Sequence, residues 1–249
     1  MTQTDKTSLG DRMKGYENIT RNHLISRMPV ILRLDGSAFH TFTKGFDKPY
    51  GITFTKTDII FTKTMELTMK YLCENIQGCV FGYTQSDEIM LVLVDYQGLN
   101  TSSWFDNNIQ KMVSVAASMA TLEFNRKFSE LTLDYSKMGA TFDCLAFNVP
   151  KEEVTNCVLF RQNEAIRNSI QALGQAYFSH KELHGKNTKD IITMVKEKTG
   201  ILWNNLPIKQ QRGMCCIKDD EGHWVVDYNI PIFKGEGREY IEKLINVGE

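Results

Sequence analysis

The chain has 249 residues, 42% of them hydrophobic and 24% charged, with a formal net charge of −1. That length can bury a core for one large domain, or one domain with an appendage. The near-neutral balance excludes a global polycation, so a nucleic-acid partner would need a local basic surface. No apolar run approaches a membrane span, and the leading MTQTDKTSLGDR lacks the apolar centre of a signal peptide, so no membrane partner is expected. Cys73, Cys79, Cys144, Cys157, Cys215 and Cys216 include no CxxC pair. This usage points to a reduced, cytoplasmic, soluble protein rather than to a zinc site or a disulfide framework.

In chain order, PVILRLD (29–35) is a short apolar run between Pro and Gly and reads as a buried strand. A loop dense in Gly, Lys and aromatics follows, GSAFHTFTKGFDKPYG. From about Thr53 to Ile76 the apolar spacing fits an amphipathic helix, which Gly78 ends. Cys79 to Tyr83 reads as a second strand, TQSDE as a turn, and Ile89 to Asp95 as a third strand. A helix is expected from Ser103, as N-cap, to Lys127, and a fourth strand from Ala140 to Val149. The order predicts an α+β, ferredoxin-like split βαβ domain, an antiparallel sheet with helices on one face. Additional C-terminal helices follow: a long one after Pro150, then smaller ones, with HWVVDYNIPIF as an added strand. The expected division is a palm-like domain over 1–149 and a helical extension over 150–249 that packs on it, or one continuous domain.

Asp35 ends the first strand, and Asp87 and Glu88 occupy the hairpin between the second and third. With the first strand beside the one that precedes the hairpin, these carboxylates converge at one end of the sheet. Mg²⁺ takes one or two carboxylates plus phosphates and water, and two ions roughly 4 Å apart clamp both oxygens of an in-line phosphoryl transfer. Gly36 leaves its backbone accessible, so its carbonyl could ligate a metal and the following N–H groups could face phosphate. The bland reading is turn chemistry and an Asp closing a strand. His40, Lys44, Asp47 and Lys48 lie close by in sequence, either as phosphate contacts or as a solvated loop.

On the long helix, Arg161 and Asn168 lie seven apart and share a face, while Asn163 and Arg167 share another. Beyond it come Lys181, Lys186, Lys189, Lys209, Arg212 and Lys218, the most cationic part of the chain. Arg167, Lys181, Lys186, Lys209 and Arg212 are the candidates for a nucleic-acid backbone, against a merely solvated surface. His180 and His184 have a spacing zinc could use, but no third ligand is evident.

Taken together, RLDGSAFHTFTKGFDKPY, IQGCVFGYTQSDEI, WFDNNIQKMVSVAASMAT, FDCLAFNVPKEEV, FRQNEAIRNSIQ and FSHKELHGK resemble the tRNA(His) guanylyltransferase family, and within it the bacterial, archaeal and phage Thg1-like branch. The resemblance implies a palm-like nucleotidyltransferase that adds nucleotides 3′ to 5′ at the 5′ end of tRNA. ATP or GTP activates the 5′-monophosphate, and the 3′-hydroxyl of an incoming nucleotide then attacks it. The branch favours templated repair of 5′-truncated tRNAs over addition of a single G to tRNA(His). Family members use two Mg²⁺ and usually form homotetramers, dimers of dimers.

Carried over by motif, Asp35, the Gly36 carbonyl and Asp87 would ligate metal, and Glu88 would support the site. Gly36, Ser37, Ala38, Phe39 and His40 would wrap the triphosphate, with Ser86 close by, and Lys44 and Asp47 would lie near nucleotides. Arg161, Asn163 and Asn168 would meet the triphosphate or the tRNA end. The chain departs from the family at three places. Ala165-Ile166-Arg167-Asn168 replaces a His-Ile-Asn-Asn element of the eukaryotic branch, which goes with a repair role. Gly51 stands where Asp is usual, and Phe142-Asp143-Cys144-Leu145 replaces FDAR with loss of a cation. A palm-fold nucleotide cyclase or signalling synthase, and a catalytically silent RNA-binding module, are the alternatives; the RNA-side motifs argue against the first, and Asp35 with Asp87 against the second.

Overall fold

The structure is a computed structural model that describes residues 8–42, 56–131 and 139–246. Six strands form one sheet: β1 (Val30–Ser37), β2 (Cys79–Gln85), β3 (Glu88–Leu93), β4 (Thr141–Asn148), β5 (Met214–Lys218) and β6 (Trp224–Asp227). Their order is β4-β1-β3-β2-β5-β6, with every pairing antiparallel. The first four strands thus have the expected split βαβ order. The neighbour expected for β1 was wrong, however: β1 pairs with β3, which follows the hairpin, and not with β2. The crossover that joins β1 to β2 leaves room for one strand between them, and β3 returns into it.

The helices fall on both faces. On one lie α3 (Lys56–Asn75) and α4 (Ile109–Leu131), which pack Met69, Leu72, Phe124 and Phe128 against Leu32, Leu34, Ile89 and Leu91. The opposite face carries Ile31, Phe81, Met90 and Val92, covered by Val154 and Val158 of α5 (Lys151–Tyr177) and by Ile241 and Ile245 of α9 (Glu239–Ile245). Burial on both faces explains why β3 reads as an unbroken apolar run rather than as an alternation. A smaller cluster joins the end of α5 to α7 (Thr188–Thr199) through Ile170, Leu173, Ile191 and Val195, with Leu183 of α6 (His180–Leu183).

Three elements depart from the sequence reading in ways that bear on the site and the sheet. The helix expected from Ser103 begins at Ile109 as α4, with the Asn108 side chain accepting from the Lys111 N–H. Between them lies a 3-10 turn in which Phe105 and Asp106 have positive φ, so Ser103 opens the turn and not the helix. The turn TQSDE shortens to Ser86-Asp87, because Thr84 and Gln85 continue β2 and Glu88 starts β3. HWVVDYNIPIF supplies only the four residues of β6, after which Ile230 and Phe233 are buried on the α5 face. Strand β5 had no sequence signal of its own. Gly213, with φ +83, turns the chain from α8 (Ile208–Arg212) into β5 against Thr84, whose carbonyl lies 2.5 Å from where a Cβ would stand.

Candidate active site

The register of the sheet aligns carboxylates across three strands: Asp35 on β1 stands opposite Glu88 on β3 and opposite Asp143 on β4. The Ser86-Asp87 turn closes on them, since the Gly36 N–H donates to the Asp87 carbonyl at 3.1 Å and the Ser86 hydroxyl to the Asp87 carboxylate at 3.0 Å. Ser86 holds φ +53, the left-handed conformation in which a tight turn places a residue. Asp35, Asp87 and Glu88 edge an open cleft of about 280 Å³ on the α5 face, lined also by Arg33, Gln85, Arg161 and Asn168 among others.

Cations face the acids. Glu88 lies 3.6 Å from the Arg161 guanidinium and 3.9 Å from that of Arg33, and Arg161 also bonds Glu164 at 2.8 Å. Burial raises the Glu88 pKa above its ordinary value, with Arg161 and then Arg33 opposing the rise. Asp35 is also raised, first by desolvation and then by the neighbouring Asp87 and Asp143 charges, against the pull of Arg33. Arg33 Nε is buried with no hydrogen-bond partner, an N–H turned neither to protein nor to solvent. Removing the Arg161 charge as Arg161→Met is expected to push the Glu88 pKa further upward, as a side-chain carboxyl NMR titration would read.

The family whose description is tRNAHis guanylyltransferase matches residues 10–150. The solved structure of a bacterial tRNA(His) guanylyltransferase-like protein in complex with ATP is 45% identical over 97% of this chain and 100% of that one, with a TM-score of 0.89. The chain belongs to the tRNAHis guanylyltransferase family. A bacterial member in complex with GTP is 42% identical over 96% of this chain and 99% of its own, with a TM-score of 0.80. The enzyme of Saccharomyces cerevisiae, 18% identical over 87% of this chain and 96% of its own, shares the fold with a TM-score of 0.68. Uncharacterized protein R259 of Acanthamoeba polyphaga mimivirus is 28% identical over 228 residues, 83% of this chain and 75% of that protein. As a member of this guanylyltransferase family, the chain is a nucleotidyltransferase that acts in the 3′-to-5′ direction on tRNA 5′ ends.

The remaining positions implied by the family resemblance separate. Ser37 and Ala38 are exposed beside Gly36, with Ala38 at φ +54, but the Phe39 ring is 4% exposed and belongs to the core. His40 falls in the short helix α2 (Phe39–Phe42), while Lys44, Asp47, Lys48 and Gly51 lie outside the described residues. Arg161 and Asn168 share the cleft as their spacing requires; Asn163 and Arg167 are exposed on another face of α5. Lys181 and Lys186 are exposed, and Lys209 sits 5.2 Å from the Tyr228 ring centroid. Arg212 instead donates Nε and Nη2 to the Ile230 carbonyl at 3.1 and 2.9 Å, so its cation braces the 228–234 segment.

Sequence reasoning missed Arg33 and Asp143 as site residues. Arg33 stands two residues before Asp35 on one strand and so shares its face, whereas Asp143 joins only as the register partner of Asp35. Among the described residues, no three acidic, histidine or cysteine side chains form a ready-made metal cage, and no helix is long and apolar enough to cross a membrane.

Proposed function

We propose that the cleft binds a nucleoside triphosphate and the 5′ end of tRNA around two Mg²⁺, with Asp35, the Gly36 carbonyl and Asp87 as ligands. The carrying observation is the in-register meeting of Asp35 with Glu88 and Asp143 beside the Asp87 turn, at the mouth of a cleft lined by Arg33 and Arg161. The donor set fits the ion. Its atoms are oxygens, and an incomplete protein cage suits an ion that keeps water and substrate phosphates among its ligands. Desolvation and, after it, the Asp87 and Asp143 charges raise the Asp35 pKa, so a cation bound beside it would favour the carboxylate.

When bound, the ions supply electrostatic stabilisation of the charge that develops on the transferred phosphoryl group. Arg33 and Arg161 hold phosphate oxygens. Glu88 positions both guanidiniums when the cleft is without substrate. Asn168 and the Gly36 to His40 backbone orient the triphosphate, with Ser86 fixing the Asp87 carboxylate. ATP or GTP activates the 5′-monophosphate, and the 3′-hydroxyl of an incoming nucleotide displaces the activating group in line.

Templated repair of 5′-truncated tRNAs is the proposed use, supported by Ala165-Ile166-Arg167-Asn168 in place of the eukaryotic His-Ile-Asn-Asn element. Lys181, Lys186, Lys209 and Arg167 are exposed cations suited to the tRNA backbone. The segments 1–149 and 150–249 are proposed to work as one catalytic unit, because β5 extends the palm sheet and α5 supplies Arg161 to the cleft. A homotetramer is proposed on the family resemblance.

The test is a labelled 5′-truncated tRNA incubated with ATP, GTP and Mg²⁺. Wild type is expected to extend the 5′ end, and Asp87→Ala to lose at least about 10²-fold in rate. An Asp87→Ala enzyme as fast as wild type would remove Asp87 from the metal site, and a wild type inactive on tRNA would remove the reading itself.

A further inference from the structure

Phe160 is 54% exposed although it adjoins Arg161 on α5. The Arg161 guanidinium carbon lies 4.8 Å from the Phe160 ring centroid, and the same guanidinium lies 3.6 Å from the Glu88 carboxylate. Two contacts therefore connect an open aromatic face to the acid that pairs with Asp35. A second apolar group stands on the same side. Leu145 is the register partner of Arg33, which lines the cleft, and cross-strand partners project from the same sheet face. Leu145 is 50% exposed and lies on the edge strand β4.

Exposed apolar side chains are ordinary when scattered, but here an aromatic face stands against a guanidinium that lines the cleft. The neighbours of Phe160 on its own helix face are Asn163, Glu164 and, two turns on, Arg167, whose guanidinium side chain is 60% exposed. That face lacks the continuous apolar stripe that a docking helix needs. An isolated aromatic flanked by arginines is instead the arrangement on which unpaired bases stack.

We propose that Phe160 is a stacking platform for a nucleobase at the rim of the cleft, a subsite separate from the residues that hold triphosphate and metal. The proposal rests on the nucleotidyltransferase reading of the cleft. The base comes either from the 5′-terminal nucleotide of the tRNA or from the incoming nucleoside triphosphate; both offer the same π-face.

The probe is 2-aminopurine, whose fluorescence falls on stacking, placed at the 5′-terminal position of a truncated tRNA in one arm and supplied as its ribonucleoside triphosphate in the other. Wild type is expected to quench it in one arm, which identifies the source. Phe160→Ala is expected to lose the quench and to weaken binding in that arm by roughly 5- to 150-fold, the range of one base–aromatic stack. Phe160→Trp is expected to restore both. Quenching in neither arm, or Phe160→Ala with unchanged quench and affinity, overturns the proposal, as does a change of oligomeric mass in Phe160→Ala with its affinities intact. Extension by wild type is measured alongside. Normal extension with an unaffected Phe160→Ala rejects the platform alone, whereas absent extension rejects the reading beneath it.

Discussion

Asp35→Asn is expected to lower 5′ extension by at least about 10³-fold while making the protein, freed of metal by a chelator, slightly more stable. The loss follows from removing a carboxylate that faces both Glu88 and Asp143 and from which several kcal/mol of charge stabilisation depend. The gain follows from the raised pKa of Asp35, which records that folding brings its charge into a partly desolvated place beside Asp87 and Asp143. Its sign is fixed by linkage. With the folded pKa above the unfolded one, the native state binds the proton more tightly, so ionisation costs stability as pH rises from the ordinary value of about 3.9 through the raised value. The penalty is fully present at pH 7 and absent in acid. Because the site is open to solvent, the gain for Asp35→Asn belongs near 0.5 kcal/mol, or about 1–2 °C in Tm at pH 7, and vanishes below about pH 4. Thermal unfolding of both proteins in a chelator at the two pH values measures it. A gain that persists unchanged in acid would show that charge repulsion is not its source.

The strands that form the site were legible because they carry local signals: Pro and Gly bracket β1, and the turn residues Ser86 and Asp87 separate β2 from β3. What sequence did not yield was relational. The wrong neighbour for β1 came from reading chain order as spatial order, whereas β3 fills the gap left by the crossover. Arg33 and Asp143 belong to the site only through register, one by sharing the face of Asp35 and the other by standing opposite it. β5 is five residues long and buried, and without alternation or a turn pair it offers no period to read. Phe39 shows the converse limit: its motif does not tell side chain from backbone, and the structure puts the ring in the aromatic core with the backbone at the loop.

Gly36→Ala is expected to cost about 1–3 kcal/mol of stability and, through displacement of the loop, on the order of 10²-fold in extension rate. A Cβ at Gly36 would stand 2.2, 2.5 and 2.7 Å from three atoms of the Phe39 ring. That ring cannot retreat, since its centroid lies 5.1 Å from Phe142, 5.3 Å from Phe124, 5.4 Å from Phe42 and 5.7 Å from Phe61. The backbone must give instead, and the Gly36 N–H that donates to the Asp87 carbonyl moves with it, parting Asp35 from the turn it faces. Phe39→Leu makes room at the clash, so the double variant should be more stable than the sum of the two single effects by more than about 0.5 kcal/mol, the usual margin of additivity. Denaturant unfolding of the four proteins gives this coupling directly. An additive cycle would dismiss the ring as the reason for glycine. A Gly36→Ala protein of wild-type stability without activity would assign the glycine to close approach of phosphate, so the two possible uses of one missing side chain separate in a single set of variants.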